Sequence, residues 1–332
     1  MKVVFYQNKD EFLSINLLFD IIKKKLPATV QFSTKYFRHN GASLKDRLYD
    51  ILSGAFLSNK YINHIIGDFN YATLLMPKAI TILTIHDLYR LYLIDTNPVK
   101  KYFFKLLWLR LPILKSGIVT AVSETTKNEI LKFANCSPEK IRVIYNCISP
   151  DFTPLPKMFN KQKPVLLQMG TRSNKNIDRL AEAIEGISCK LEIVGKPTDR
   201  TIELLKKYKI DYNWQNNLSD KEVIKKYLEC DMLVFISTYE GFGMPVIEAN
   251  SIERAIVTGN VSAMPEVAGN AACLVNPFNI ASMRAGILKV INDDVYREGI
   301  IAEGRINKLR FEATNIANQY AQLYQEVGSQ NN

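Results

Sequence analysis

Short apolar runs alternate along the whole chain with longer segments in which apolar residues recur at helical spacing. In the first half, the runs that predict strands are 2–6, 29–32, 79–85, 117–122 and 141–145. In the second half, they are 164–170, 190–195, 231–237, 254–259 and 271–275. Strands that are apolar throughout and separated by helices are typical of parallel sheets covered on both faces. Each half is therefore predicted to be a doubly wound α/β domain.

The segment 149–164 marks the predicted domain boundary, because it holds four prolines and shows no helical period. We predict an N-terminal domain at 1–155, a C-terminal domain at 156–311, and a closing helix with its tail at 312–332. The closing helix is predicted from apolar residues at helical spacing: Ile316, Tyr320, Leu323 and Val327. A linker between two such domains leaves a cleft, and open α/β sheets bind ligands at the carboxyl ends of their strands.

The length of 332 residues fits two domains of about 150 residues each. We find no apolar run long enough for a transmembrane helix, and the amino-terminal stretch turns polar too soon for a secretory signal. The five cysteines are scattered and form no Cys-x-x-Cys pair, which is typical of single buried thiols in a reducing compartment. The sequence therefore predicts a cytoplasmic protein.

The excess of positive charge lies in the first half of the chain. Residues 1–150 contain 21 Lys and Arg against 11 Asp and Glu, whereas the remainder is balanced. This asymmetry predicts an anionic partner for the first half alone: a membrane surface, a phosphorylated acceptor or nucleic acid. Nucleic acid is disfavoured because no recognised binding motif accompanies the charge.

The segment 100–115 mixes basic, aromatic and leucine residues, and it has two interpretations. It is either a helix on the inner face of an anionic membrane or an ordinary amphipathic helix packed on the first sheet. The sequence leaves both open.

Two glutamates flank a glycine-containing turn in the stretch "EGFGMPVIE", at Glu240 and Glu248. The stretch follows an apolar run, and Pro245 stands near the first position of a predicted helix, where its missing N–H costs nothing. The turn and the helix amino terminus form an anion site. Because two carboxylates would repel a bare phosphate, they are better suited to accept hydrogen bonds from hydroxyls. A nucleotide sugar carries both hydroxyls and phosphates.

A second cluster, "GTRSNKN" at 170–176, also follows an apolar run and precedes a predicted helix. Arg172 and Lys175 are expected at the carboxyl edge of the sheet, where two cations would hold a diphosphate and stabilise it as a leaving group. The sequence contains no Asp-x-Asp motif, and no spacing of its His, Asp and Glu residues indicates a metal site. We therefore expect neither a metal nor a cofactor. Ser262 and Glu266 could form an active-site pair, but a turn followed by a short helix behind the phosphate site is the favoured interpretation.

With these motifs, the chain resembles the retaining nucleotide-sugar glycosyltransferases of family 4, whose hallmark is two glutamates separated by seven residues. In the first half the resemblance is carried by "TIHDL" (84–88), "AVSETTKNEI" (121–130) and "IRVIYNC" (141–147). It implies the GT-B fold, with two Rossmann-like domains facing across a cleft. It also implies transfer of a hexose-type sugar from a nucleotide diphosphate sugar to a glycan or lipid-linked acceptor, in cell-surface polysaccharide assembly.

The resemblance also implies roles for particular residues. Glu240 matches the glutamate that contacts the transferred sugar, Glu248 the one that binds the ribose, and Arg172 and Lys175 the diphosphate-binding pair. His86 matches a histidine that lines the sugar pocket from the first domain. The remaining donor-binding positions are Gly170, Gly195, Leu218 and the amides of Phe242, Gly243 and Met244.

The loop after the first predicted strand departs from the family pattern. Many relatives have a glycine-rich loop there, whereas residues 7–19 of this chain contain no glycine. Ser14 and Asn16 are the candidates to replace its phosphate contacts. This departure keeps a degenerate nucleotide- or glycan-binding module open as an alternative. A GT-B sugar epimerase is a further alternative, against which the two-glutamate motif counts.

Overall fold

The computed structural model describes residues 1–8, 14–37, 44–58, 60–93 and 97–329. The chain forms two compact units, one of Met1–Cys147 with Glu312–Asn332 and the other of Ile148–Phe311. Each unit contains a six-stranded sheet whose paired strands all run parallel. The predicted α/β class with two doubly wound sheets is therefore confirmed. Residues 9–13 of the loop without glycine lie outside the described residues.

The strands of the first unit are β1 (Lys2–Asn8), β2 (Gln31–Phe37), β3 (Ile62–Ile65), β4 (Thr81–Ile85), β5 (Ile118–Ala121) and β6 (Ile141–Val143). They lie in the order β2-β1-β3-β4-β5-β6. The sequence did not predict β3, because polar Asn63 and His64 interrupt its apolar pattern, although both are fully buried. It also placed the second strand two residues too early.

The helices of this unit begin with α1 (Ser14–Lys25), α2 (Leu44–Leu57), α3 (Tyr89–Leu93), α4 (Pro98–Phe104), α5 (Leu111–Lys115) and α6 (Glu124–Ala134). A π-helical segment, Lys105–Arg110, joins α4 to α5. The segment 100–115 is thus three consecutive helical pieces. Trp108, Leu109 and Ile113 on its inner side are buried in the core, as expected for a helix packed on the sheet.

The strands of the second unit are β7 (Val165–Met169), β8 (Lys190–Val194), β9 (Asp211–Gln215), β10 (Met232–Phe235), β11 (Ala255–Gly259) and β12 (Cys273–Val275). Its helices are α7 (Ile177–Ala183), α8 (Asp199–Lys207), α9 (Asp220–Glu229), α10 (Met244–Ser251), α11 (Met264–Ala268), α12 (Ile280–Asn292) and α13 (Asp294–Asn307). The sequence did not predict β9, which is a polar edge strand with alternating exposed and half-buried residues.

The strand order of the second sheet, β12-β11-β10-β7-β8-β9, reverses direction between β7 and β10. The chain leaves β7 toward one edge of the sheet and continues from β10 toward the other. At such a switch point the loops that follow the two strands diverge and leave a crevice, where open α/β sheets bind their ligands. The loops after β7 and β10 contain several of the predicted site residues, among them Arg172, Lys175 and Glu240.

The last helix, α14 (Ala313–Ser329), belongs to the first unit, where it packs on α1. The predicted closing helix is confirmed, with Ile316, Tyr320, Leu323 and Val327 all buried. The Tyr324 hydroxyl lies 2.8 Å from Nδ1 of His64 in β3. All five cysteines are free thiols, of which Cys136 is half-buried and the others are buried.

Candidate functional site

The switch point of the second sheet brings Lys175 and Glu240 together. Lys175 is in the loop after β7, and Glu240 follows the neighbouring strand β10. The Nζ of Lys175 lies 2.6 Å from Oε1 of Glu240, and their side chains are only 17% and 15% exposed. This ion pair is therefore largely shielded from water.

Backbone geometry in the loop after β7 places Lys175. Gly170 has a φ of +79°, and a Cβ there would come within 3.0 Å of the Lys175 side chain, so a larger residue would displace it. A 3₁₀ turn, Ser173–Lys175, follows, and Asn176 ends it in the left-handed conformation. The Asn176 side-chain amide then donates to the carbonyl oxygens of Ile236 and Pro277, which ties the loop to the segments that follow β10 and β12.

Two further side chains hold Glu240. The amide of Asn174 donates to the carbonyl of Tyr239 at 2.9 Å and to Oε1 of Glu240 at 3.2 Å. The hydroxyl oxygen of Ser262 accepts from the Glu240 N–H at 3.1 Å, and the hydroxyl donates to the Glu240 carbonyl at 2.5 Å. The predicted short helix after Ser262 is confirmed as α11, but the sequence gave no signal for this contact.

The amino terminus of α10 follows Glu240 directly. Gly243 turns the chain into the helix with a φ of +102°, and Pro245 stands in the first turn, as predicted. The first N–H groups of an α-helix have no partner within the helix and lie at the positive end of its dipole. An anion is therefore favoured at this amino terminus. Phe242 is buried against Phe311, with ring centroids 5.6 Å apart, whereas Met244 is half-buried.

Glu248 lies one turn into α10 and accepts a hydrogen bond of 2.5 Å from the hydroxyl of Tyr227 in α9. Burial raises the pKa of Glu248 to about 7, against the opposing effects of the Tyr227 hydrogen bond and the Lys175 charge. The carboxyl group is therefore poised to lose or gain a proton near neutral pH. Sequence reasoning missed Tyr227, because nothing in its helical context distinguishes it from a core tyrosine.

The other predicted residues of the second unit lie around this centre. Arg172 is exposed, and its guanidinium forms no ion pair with a carboxylate of the described residues. Gly195 follows β8 with a φ of +118°, and a Cβ there would meet the Thr171 side chain at 3.0 Å. Leu218 is half-buried in the loop between β9 and α9. The geometry thus joins Lys175 to Glu240, while Arg172 is linked to Lys175 through the backbone, where the Lys175 N–H donates to the Arg172 carbonyl at 2.8 Å.

His86 belongs to the first unit and directly follows β4. Its Nε2 lies 3.0 Å from the carbonyl oxygen of Ile66. Burial lowers the pKa of His86, so the imidazole is neutral at physiological pH. Asn16 is buried in α1, near the amino end of that helix.

Comparison with known protein families gives two matches along the chain. The family described as "Glycosyl transferases group 1" matches residues 155–306. The family described as "Glycosyltransferase Family 4" matches residues 61–152. Each match falls in one half of the chain, and together they include Lys175, Glu240, Glu248 and His86.

Comparison with individual proteins gives relatives of the same kind. O-antigen chain mannosyltransferase B of Escherichia coli is 25% identical over 80% of this chain and 74% of its own length. O-antigen chain mannosyltransferase RfbU of Salmonella typhimurium is 28% identical over 63% of this chain and 60% of its own length. The crystal structure of Anabaena HepE, in complex with UDP and glucose, superposes with a TM-score of 0.76 at 14% identity, covering 98% of this chain and 100% of HepE. The chain has the GT-B fold and belongs to glycosyltransferase family 4.

Proposed function

We propose that this glycosyltransferase moves a hexose-type sugar from a nucleotide diphosphate sugar to a hydroxyl of a glycan or lipid-linked glycan, with retention of configuration and without a metal. The observation that carries the proposal is the Lys175–Glu240 pair at the switch point of the second sheet, beside the amino terminus of α10. A cation, helix amides and a carboxylate then stand within one crevice. That set matches the diphosphate and the hydroxyls of a nucleotide sugar.

Each side chain has a role suited to its surroundings. Hydroxyls of the transferred sugar donate to Glu240, and the ribose hydroxyls donate to Glu248. Lys175 exchanges its Glu240 partner for diphosphate oxygens, and Arg172 reaches the same oxygens from the surface. The amides of Phe242, Gly243 and Met244 complete the contacts to phosphate and sugar.

The remaining residues are assigned from the family resemblance. Gly170 and Gly195 allow the backbone to approach the nucleotide, because each has a positive φ and little room for a side chain. Leu218 flanks the base. His86, neutral and half-buried, is assigned to contacts with the transferred sugar.

The reaction needs no nucleophile from the protein. The oxygen of the acceptor hydroxyl forms a bond to the anomeric carbon on the face from which the diphosphate departs, as the bond between that carbon and the diphosphate oxygen breaks. The acceptor proton passes to a diphosphate oxygen. Lys175, Arg172 and the helix amides stabilise the negative charge that grows on the leaving group, and such preorganised charge is the largest catalytic contribution in many enzymes.

The proposed setting is the assembly of a cell-surface polysaccharide such as an O-antigen or capsule. The proposal is supported by the names of the Escherichia coli and Salmonella relatives, which are O-antigen chain mannosyltransferases. Mannose is a hexose, so these relatives fit the proposed class of transferred sugar.

The second part of the proposal is a peripheral membrane contact. The first unit would bind the anionic inner face of the cytoplasmic membrane. Every helix in the described ranges is too short or too polar to cross a membrane. The outer side of α4 and α5 nevertheless leaves Val99, Tyr102, Phe103 and Leu114 each more than half exposed. Exposed Lys100 and Lys101 lie among them, and this mixture of apolar and basic side chains is typical of interfacial helices.

Donor turnover tests the proposal. The protein is incubated with UDP-, GDP- and ADP-hexoses, with and without a metal chelator, and the products are followed by proton NMR. We expect slow hydrolysis of one donor in both conditions. The sugar that is released first should have the same anomeric configuration as in the donor. Binding of a nucleotide without any turnover would support the binding-module alternative, and release of an epimerised sugar would support the epimerase.

A further inference from the structure

Glu240 uses only one of its two carboxylate oxygens for contacts within the described part of the chain. The Nζ of Lys175 lies 2.6 Å from Oε1, and the side-chain amide of Asn174 donates to the same atom at 3.2 Å. The other oxygen, Oε2, has no hydrogen-bond or ion-pair partner among the described residues. Oε2 is therefore the oxygen that remains for a ligand.

The side-chain amide of Asn174 has a fixed orientation. Asn174 lies in the 3₁₀ turn Ser173–Lys175 and is 8% exposed. Its Nδ2 donates to the carbonyl of Tyr239 at 2.9 Å as well as to Glu240, and because both partners are acceptors, only the NH₂ end of the amide fits there. The backbone carbonyl of Asn174 also accepts the Thr238 N–H at 2.8 Å. These bonds hold Asn174 on the loop after β10 without the help of Lys175.

The opposite end of this amide is left without a partner. Oδ1 of Asn174 is buried, and no described residue bonds to it. An unpaired buried oxygen lowers the stability of a protein, so packing alone does not account for an asparagine at this position. What the side chain provides is the Nδ2 donor to Glu240 and to the loop that carries it.

Binding of a donor changes what Oε1 of Glu240 contacts. In the proposed reaction Lys175 leaves Glu240 for the diphosphate, so the carboxylate loses its positively charged partner. A shielded carboxylate without hydrogen-bond donors is unfavourable, because its charge has lost water and gained nothing in return. Asn174 is neutral, short and buried, so it stays in place as a donor to Oε1.

We infer that Asn174 is a positioning residue for the transferred sugar: it retains Oε1 of Glu240 when Lys175 moves to the diphosphate, and so directs Oε2 to the hydroxyls of the sugar. The inference rests on the proposed function, because it takes the roles of Lys175 and Glu240 from there. Asn174 itself touches neither the sugar nor the phosphates. Its loss should therefore affect recognition of the hexose and leave recognition of the nucleotide intact.

Calorimetric titration separates these two parts of the donor. UDP, GDP and ADP, and the glucose and mannose derivatives of each, are titrated into the full chain in separate experiments. For the series that binds, the Kd of the free nucleotide divided by the Kd of the nucleotide hexose gives the hexose gain, which is the factor that the sugar adds to the affinity. The kcat for hydrolysis of the same nucleotide hexose is measured alongside.

Asn174→Ala and Asn174→Leu both remove the Nδ2 donor, but only leucine keeps the volume of the side chain. We expect each to lower the hexose gain and kcat about tenfold, because a hydrogen bond that directs a charged group is lost. The affinity for the free nucleotide should stay within about twofold of the wild type, because Lys175 and the amides of α10 are unchanged. Alanine leaves a cavity and should lower the thermal midpoint further than leucine, while the two variants should have the same hexose gain.

Asn213→Ala is the matched control. Asn213 in β9 donates to Oε2 of Glu192 at 3.3 Å, and Nζ of Lys226 lies 3.0 Å from the same oxygen. An amide and a lysine thus share one carboxylate oxygen here too, but these residues lie in β8, β9 and α9, outside the loops after β7 and β10. Asn213→Ala should leave the hexose gain and kcat unchanged.

The inference is overturned if both Asn174 variants keep the wild-type hexose gain. It is also overturned if they weaken binding of the free nucleotide as much as that of the nucleotide hexose, because Asn174 would then only support the loop. A wild type without any hexose gain, or an equal loss in Asn213→Ala, would overturn it as well. Absence of binding by every nucleotide and nucleotide hexose would instead contradict the proposed function itself, so the two failures are distinguishable.

Discussion

Lys175 and Glu240 are 65 residues apart in the chain, yet their side chains form an ion pair 2.6 Å long. The pair exists because β7 and β10 are neighbours at the point where the strand order reverses. Lys175 also lies 4.5 Å from the centre of the Phe235 ring, which favours a charged ammonium group over that aromatic face. The protein therefore holds the cation in place before any anionic ligand arrives.

Neutralising either partner of this pair should remove catalysis without unfolding the protein. We expect Glu240→Gln and Lys175→Met each to lower kcat by about 10²–10³-fold, the usual effect of losing one preorganised charge contact in the transition state. Lys175→Met should also raise the KM for the donor, since it removes a diphosphate contact. Nucleotide release under steady-state conditions is the measurement. Glu203→Gln, at an exposed position of α8, is the control. An equal loss of kcat in this control variant would contradict the catalytic roles of Glu240 and Lys175.

Two substitutions of Ser262 distinguish its role in positioning Glu240 from its effect on the stability of the protein. Its φ of +58° is unfavourable for residues other than glycine, and its hydroxyl is bonded to both backbone groups of Glu240. Ser262→Gly removes the hydroxyl and relieves the backbone, whereas Ser262→Ala removes the hydroxyl and keeps the strain. We expect both to lower kcat similarly, while the thermal midpoint falls only for alanine. Activity that followed the thermal midpoint instead would mean that Ser262 has only a structural role.

The raised pKa of Glu248, about 7, predicts proton release when the donor binds. Hydrogen bonds from the ribose hydroxyls stabilise the carboxylate, so binding lowers this pKa and donor affinity rises as the pH increases through 7. In the free protein, folding stability has the opposite pH dependence to donor affinity. The raised pKa of Glu248 stabilises the folded state below about pH 4.5, and this contribution is lost as the pH rises through 7.

Calorimetry of a nucleotide hexose in two buffers with different ionisation enthalpies measures the released proton directly. The diphosphate of such a donor is fully ionised near neutral pH, so it does not contribute. Glu248→Gln should abolish the buffer dependence. Proton release that persisted in this variant would assign the titrating group elsewhere.

The exposed apolar side chains of α4 give a test of membrane contact. We expect the wild type to float with vesicles that contain anionic lipid, and less so as salt rises, since screening weakens the lysine contribution. Tyr102→Ser combined with Phe103→Ser should abolish flotation and leave hydrolysis of the free donor unchanged. A variant that floats like the wild type would rule out this face as the contact.

Much of the fold was predictable from the sequence, because most strands of both sheets are buried on both faces and read as continuous apolar runs. The exceptions have physical reasons. In β3, buried His64 is satisfied by the hydroxyls of Tyr324 and Thr84, which come from distant positions in the chain. At the edge of the second sheet, β9 needs no apolar pattern because one side of it has no neighbouring strand.

The candidate site was predictable where a residue belongs to a motif. Glu240, Glu248 and Lys175 were identified in this way, and their roles remain proposals. Asn174, Ser262 and Tyr227 were missed, since each acts by a hydrogen bond to a residue from another element and their residue types are common. Such contacts depend on the strand order, which the apolar pattern does not specify.

The most direct test of the central claim is calorimetric titration of UDP, GDP, ADP and their hexose derivatives into the wild type and Glu248→Ala. The claim is that the switch point of the second sheet binds a nucleotide sugar. It predicts saturable binding of one nucleotide series, with affinity reduced at least tenfold in the variant because the ribose contact is lost. Absence of binding by every nucleotide, or equal binding by the wild type and the variant, would contradict it.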